Sequence, residues 1–95
     1  MIKREGDRLV ISGRVTIATV PALFEAGLEY LTSGDLVADM SQVEAVDSSA
    51  ISMLLGWTRA AQRGNHVLRV TGLPEDLLSL AHLYGVAELL PQQPA

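Results

Sequence analysis

The residues best suited to chemistry stand together at Asp47-Ser48-Ser49, directly before a stretch of helical periodicity. At a helix start, an acid or a hydroxyl accepts hydrogen bonds from free backbone N–H groups, a capping role worth about 1 kcal/mol. The positive end of the helix dipole also favours a phosphoryl group on Ser48 or an acidic side chain of a partner, although Asp47 would repel either. The segment is thus a candidate cap, partner-binding site and, at Ser48, phosphorylation site.

The remaining reactive side chains give little support for catalysis. His66 and His82 fall in separate predicted elements without metal-ligand spacing, and the chain has no cysteine. A small hydrolase that used Ser48 or Ser49 as a nucleophile would need a base nearby, and nothing in the sequence brings either histidine to that turn. The eight glycines stand singly rather than in a phosphate-binding loop. We therefore expect no enzyme, no cofactor and no metal.

The helix after Asp47 carries a wider apolar arc than packing against one sheet requires. At 100° per residue, the stripe expected to face the core is Ile51, Leu54, Leu55 and Thr58. Met53 and Trp57 lie beyond that stripe, and both residue types are enriched at protein interfaces. Two interpretations stay open: they cover a sheet edge or a neighbouring helix, or they extend a partner-binding surface that begins at Ser48 and includes Ser52.

Composition and charge define the class of protein. A chain of 95 residues with 48% hydrophobic and 19% charged residues predicts one self-folding domain. A net charge of -4 with scattered basic residues argues against nucleic acid as a partner. The charged N-terminus is unlike a secretory signal, and every apolar run is far shorter than the ~20 residues of a membrane span. We expect a cytoplasmic protein without direct membrane insertion.

Hydrophobic periodicity and turn residues predict alternating strands and helices. Strands are expected over residues 2–5, 8–13, 36–40 and 66–72, with residues 41–46 as a connection. Helices are expected from about residues 19, 47 and 74, ending at Gly34, Gly64 and Gly85. This order predicts an α/β sandwich with a parallel portion of sheet, because crossover helices bury their apolar faces on the sheet. Residues 1–90 form the domain, and residues 91–95 a flexible tail.

Two segments in the middle of the chain resemble a known family. Leu36-Val37-Ala38-Asp39-Met40-Ser41, followed by Val46-Asp47-Ser48-Ser49-Ala50-Ile51, is similar to the strand, loop and helix start of STAS domains, the fold of anti-sigma-factor antagonists. The resemblance implies a four- or five-stranded mixed sheet with about three helices mainly on one face, and binding rather than catalysis. In the antagonists an anti-sigma kinase phosphorylates the hydroxyl after the aspartate, a role that would fall on Ser48. Ala50 replaces the usual glycine.

The C-terminal segment narrows the resemblance to one branch. Leu80-Ala81-His82-Leu83-Tyr84-Gly85-Val86, with Leu89-Leu90-Pro91, resembles the ending of MlaB-type STAS domains, subunits of Mla phospholipid-transport ABC complexes in Gram-negative bacteria. That branch implies docking on the cytoplasmic ATPase subunit, and through it on a membrane permease, in support of outer-membrane lipid asymmetry. The contact would comprise Asp47, Ser48, Ser49, Ser52, Met53 and Trp57. The alternative is an anti-sigma factor antagonist regulated at Ser48, which would use the same surface.

Overall fold

The computed structural model describes residues 1–92, which form one mixed β-sheet and its helices. In chain order the elements are β1 (Ile2–Glu5), β2 (Arg8–Val15), α1 (Val20–Leu31), β3 (Leu36–Val46), α2 (Ser49–Arg63), β4 (Leu68–Thr71), α3 (Glu75–Leu83) and a 3-10 helix (Ala87–Leu89). Four strands and three α-helices in this order confirm the predicted α/β architecture.

The strands lie in the order β1-β2-β3-β4, which brings the ends of β2 and β3 together. β1 and β2 form an antiparallel hairpin, whereas β2, β3 and β4 run parallel. α1 connects β2 to β3 and α2 connects β3 to β4, so right-handed crossovers place both helices on the same face of the sheet. The amino ends of α1 and α2 therefore lie at the edge where β2 and β3 end.

The core lies between this helix layer and one face of the sheet. Side chains alternate across a strand, so every second strand residue is buried against the helices. The buried strand residues on this face are Leu9, Ile11, Val15, Leu36, Ala38, Met40, Leu68 and Val70. On the opposite face Arg8 and Asp39 form an ion pair of 3.0 Å between the guanidinium Nη1 and the carboxylate Oδ2.

β3 is longer than predicted, because residues 41–46 continue the strand instead of forming a connection. Its pairing with β2 shifts register twice, and at each shift β3 contributes one extra residue. Such bulges interrupt the two-residue alternation by which a strand is recognised in a sequence. Asp39 stabilises the first irregular point, where its Oδ1 accepts hydrogen bonds from the backbone N–H and hydroxyl of Ser41. The longer strand carries the chain to Asp47.

The start of the predicted tail is attached to the sheet. The backbone N–H of Val70 donates to the carbonyl oxygen of Pro91 at 2.9 Å, and Gln92 forms a parallel bridge with Val70. Leu90, which precedes Pro91, is only 4% exposed and packs in the core. Pro91 and Gln92 thus contact β4, while residues 93–95 lie outside the described residues; the domain boundary at residue 90 and the flexible tail stay predictions.

Candidate functional site

Asp47 joins the end of β3 to the start of α2 and holds two chain segments together. Its Oδ1 accepts hydrogen bonds from the backbone N–H of Ser49, at 2.9 Å, and from the Ser49 hydroxyl. Its Oδ2 accepts a hydrogen bond of 2.8 Å from the backbone N–H of Ile17, in the loop between β2 and α1. The Ser49 hydroxyl first, and then the backbone N–H groups of Ile17 and Ser49, lower the pKa of Asp47 below its ordinary value.

Ser48 occupies the N-cap position of α2, yet its side chain makes no capping hydrogen bond. The Asp47 carboxylate takes that role through the Ser49 N–H, so of the two predicted capping residue types the acid is the one used. The Ser48 side chain is exposed at the positive end of the helix dipole. Its phosphorylation and its contact with a partner both stay predictions.

The other two serines of the predicted site, Ser49 and Ser52, differ in how far their side chains are exposed to a partner. Ser49 is half-buried and donates its hydroxyl to Asp47, so it belongs to the internal support of the turn. Ser52 is exposed and follows Ser48 by four residues, which places both on one face of the helix. Ser48 and Ser52 therefore form the polar surface at the start of α2.

Trp57 and Met53 both belong to the buried core. The side chain of Trp57 is 0% exposed, so it cannot extend the docking surface as expected. The side chain of Met53 is 1% exposed, yet Met53 is among the residues that line the groove described below, so its contact with a partner stays a prediction. The indole N–H of Trp57 donates to the carbonyl oxygen of Phe24 at 3.0 Å, which satisfies the polar atom of the buried ring. The ring lies over Gly27 of α1, where no side chain separates the helices.

Because α2 packs against α1 as well as the sheet, its buried face differs from the face predicted from the sequence. Leu55 and Thr58, expected to face the core, are only half-buried. The buried residues of α2 are Ala50, Ile51, Met53, Leu54, Trp57 and Ala61. A signal was present in the sequence, because a glycine inside a predicted helix costs about 1 kcal/mol relative to alanine and often marks a close approach.

An apolar groove opens between α1 and α2 beside these serines. It has a volume of about 270 Å³ and is lined by Val20, Pro21, Phe24, Ser52, Met53 and Gly56. The Phe24 ring can lie close to α2 only because Gly56 has no side chain: a Cβ there would lie 2.7 Å from the ring. Sequence analysis missed the groove because half of its wall comes from α1, which lies far away in the chain.

Ile17 is a further residue of this region that sequence analysis missed. Its side chain is 74% exposed, although the loop that carries it is well bonded. The backbone N–H of Thr16 donates to Thr19 Oγ1 at 3.0 Å, and that hydroxyl donates to the carbonyl oxygen of Arg14 at 2.8 Å. The backbone N–H of Val20 donates to the carbonyl oxygen of Thr16 at 2.8 Å. The loop thus presents a large apolar side chain from an ordered backbone.

The structure does not bring His66 to the Ser48 turn. His66 follows the end of α2, so the 15 residues of that helix, about 22 Å long, lie between His66 and Ser48. Its Nδ1 lies 4.0 Å from Asp35 Oδ1, and His82 is an exposed residue of α3. Residues 1–92 contain no group of three potential metal ligands and no helix long and apolar enough to cross a membrane.

Several solved structures share this fold. A chain of the Acinetobacter MlaFEDB complex in an ATP-bound conformation gives a TM-score of 0.81 at 24% identity, covering 98% of this chain and 100% of that one. An anti-sigma factor antagonist from Mycobacterium paratuberculosis gives 0.76 at 22% identity, with 100% and 84% covered. The antagonist SpoIIAA in its unphosphorylated form gives 0.74 at 9% identity, with 99% and 87% covered. At these identities the likenesses establish the fold alone.

The family is shown by a match between this sequence and a family model, not by a single relative. No curated protein matches the chain. The family model described as "Mlab, STAS domain" matches residues 1–91, nearly the whole chain. Together with the mixed four-stranded sheet and its helix layer, this match shows that the protein belongs to the MlaB-type STAS domain family.

Proposed function

We propose that this protein is a non-enzymatic accessory subunit of an Mla-type phospholipid ABC transporter, where it binds the cytoplasmic ATPase subunit and supports its assembly and activity. The observation that carries the proposal is the surface at the start of α2, where exposed Ser52 lines an apolar groove and exposed Ser48 lies one helical turn before it. Polar groups beside an apolar cavity are typical of protein-binding sites. Family membership and the likeness to a chain of the MlaFEDB complex support this partner.

The groove is suited to an apolar side chain of the partner. Each helix that lines the groove carries an exposed charge about one turn further along, and the two charges have opposite signs. Glu25 follows Pro21 by four residues on α1, and Arg59 follows Gly56 by three residues on α2. A partner segment lying along the groove would meet an acid on one side and a base on the other, which fixes its orientation. Ser48 and Ser52 would contribute hydrogen bonds at one end.

Binding to this surface can change the ATPase without any contact with ATP. A subunit that binds one arrangement of the ATPase more tightly than another shifts the population toward that arrangement. The ATPase would also place the protein at the cytoplasmic side of the inner membrane, next to the permease. Neither role requires a catalytic group in this chain.

The test is complex formation with the Mla-type ATPase subunit of the same host, measured by isothermal titration calorimetry and by the ATPase rate. We expect a stable complex, and we expect Ser48→Arg to abolish it because a long charged side chain would block the start of the groove. Ser79→Arg is the matched control, since Ser79 is an exposed serine on α3. Failure of the wild-type protein to bind, or equal binding by Ser48→Arg, would contradict the proposal.

The exposed Ser48 hydroxyl, which makes no capping bond, favours one second candidate function. In an anti-sigma factor antagonist, phosphorylation of this hydroxyl by a partner kinase would add charge to the binding surface and release the kinase. This function predicts the mass of one added phosphoryl group on Ser48 after incubation with the kinase and ATP, and none in Ser48→Ala. We rank this function second because the family model that matches residues 1–91 is the one described as "Mlab, STAS domain".

A further inference from the structure

Ile17 presents an exposed apolar side chain from an ordered loop at the start of α1. Its side chain is 74% exposed, while its backbone N–H donates a hydrogen bond to the Asp47 carboxylate. The backbone N–H groups of Thr16 and Val20, on either side of Ile17 in the chain, also form hydrogen bonds within this region. A mobile loop would have to lose conformational entropy before its side chain could bury in a partner. Here that entropy is already lost on folding, which makes Ile17 a preorganised contact.

The position of Ile17 links it to the proposed contact surface. The Asp47 carboxylate bonds to the Ile17 N–H through one oxygen and to Ser49 through the other, so the loop is fastened to the start of α2. Val20, which lines the groove, follows Ile17 by three residues. The exposed isoleucine therefore precedes the groove-lining part of α1 by less than one helical turn in the chain.

Asp47 itself is poorly suited to direct binding. Both of its oxygens accept hydrogen bonds from the chain, three in all, from two backbone N–H groups and one hydroxyl. A partner that took over these bonds would have to break the turn. The carboxylate is therefore better placed to hold Ile17 than to contact a partner.

We infer that Ile17 is an apolar anchor of the ATPase-binding surface and that Asp47 is a positioning residue that acts through it. The inference rests on the proposed function and commits to the ATPase subunit as the occupant. That subunit would bury the Ile17 side chain in an apolar pocket next to its contact with Ser48. Buried apolar anchors near the centre of an interface typically carry a large share of the binding energy.

The first test compares two exposed apolar residues in calorimetric titrations with the ATPase. Ile17→Ser should weaken binding by roughly tenfold or more, the loss expected for a truncated anchor. Leu83→Ser is the matched control, because Leu83 is 76% exposed on α3, and its affinity should stay within about twofold of wild type. Ile17→Leu should retain most of the affinity, since it restores the apolar volume.

The second test is a double-mutant cycle between Ile17 and Asp47. The side chain of Asp47→Asn can still accept the Ser49 N–H through its oxygen, but its NH₂ group cannot accept the Ile17 N–H. We expect this variant to weaken binding and to speed hydrogen exchange at the Ile17 amide. In the Ile17→Ser background it should weaken binding no further, because the residue through which it acts has been removed.

The outcomes separate this inference from the proposed function. If the wild-type protein does not bind the ATPase, both are overturned. If the wild type binds and Ile17→Ser binds equally well, only the anchor is wrong. Additive losses from Ile17→Ser and Asp47→Asn would show that Asp47 contacts the partner directly, and would overturn its role as a positioning residue.

Discussion

The indole ring of Trp57 lies against the backbone of Gly27, and a Cβ atom at Gly27 would overlap its Cε2 and Cζ2 atoms. A second contact of the same kind lies nearby, where Phe24 of α1 lies over Gly56 of α2. Each helix thus receives an aromatic ring of the other at a glycine. These two contacts set the distance between α1 and α2 and hence the width of the groove.

Gly27→Ala should destabilise the protein, whereas Gly56→Ala should cost less. Both changes raise helix propensity by about 1 kcal/mol. The fully buried Trp57 ring cannot move away from a new methyl group, and overpacking of this kind costs about 1–3 kcal/mol. Phe24 is half-buried and has more room to shift. Urea unfolding of the two variants measures the difference, and a Gly27→Ala variant as stable as Gly56→Ala would contradict the rigid contact.

Trp57→Phe should lower stability and leave partner binding almost unchanged. The substitution removes buried volume and the hydrogen bond to the Phe24 carbonyl, for an expected loss of about 1–3 kcal/mol in the free energy of unfolding. Trp57 is 0% exposed and has no surface to offer a partner. Affinity should be measured at a temperature where the variant is fully folded. A large loss of affinity there, with normal stability, would instead indicate direct contact.

Ser48→Ala and Asp47→Ala should differ in their effect on the free energy of unfolding. Ser48 makes no capping bond, so its substitution should change the free energy of unfolding by less than about 0.5 kcal/mol. Asp47 accepts bonds from the start of α2 and from the Ile17 loop, so its loss should cost about 1–2 kcal/mol. Thermal unfolding of both variants checks this order, and a larger loss from Ser48→Ala would mean that Ser48 is the cap.

Stability should fall in acid because two carboxylates have lowered pKa values in the folded state. The Ser41 hydroxyl lowers the pKa of Asp39, helped by the Ser41 backbone N–H and by Arg8, and the Ser49 hydroxyl lowers that of Asp47. Below the ordinary value of 3.8, the unfolded chain therefore binds more protons than the folded one. The contribution of these groups is present above that value and is lost as the pH falls through their folded pKa values.

Urea unfolding between neutral pH and about pH 2.5 measures this dependence across the range in which the carboxylates titrate. Replacing both acids, as Asp39→Asn with Asp47→Asn, should flatten the acid limb of the stability curve. An acid limb as steep in the double variant as in the wild type would assign the loss to other groups.

Much of the fold follows from patterns that are local in the sequence. The short apolar runs of β2 and β4, the helical spacing in α1 and the glycines that end the helices predict the element order. The motif around Asp47 and Ser48 places the candidate site at the start of α2. These features are readable because each depends on residues only a few positions apart.

The tertiary structure decided the details of the site. The close approach of Trp57 to Gly27 places the indole ring in the core, and β3 continues through two register shifts as far as Val46. Asp47 holds Ile17 from 30 positions away in the chain. Such contacts join residues that are distant in sequence, and a single helix or strand period carries no information about which neighbour it will meet. The sequence by itself therefore located the Ser48 turn, while packing between α1 and α2 and the bond from Asp47 decided which side chains surround it.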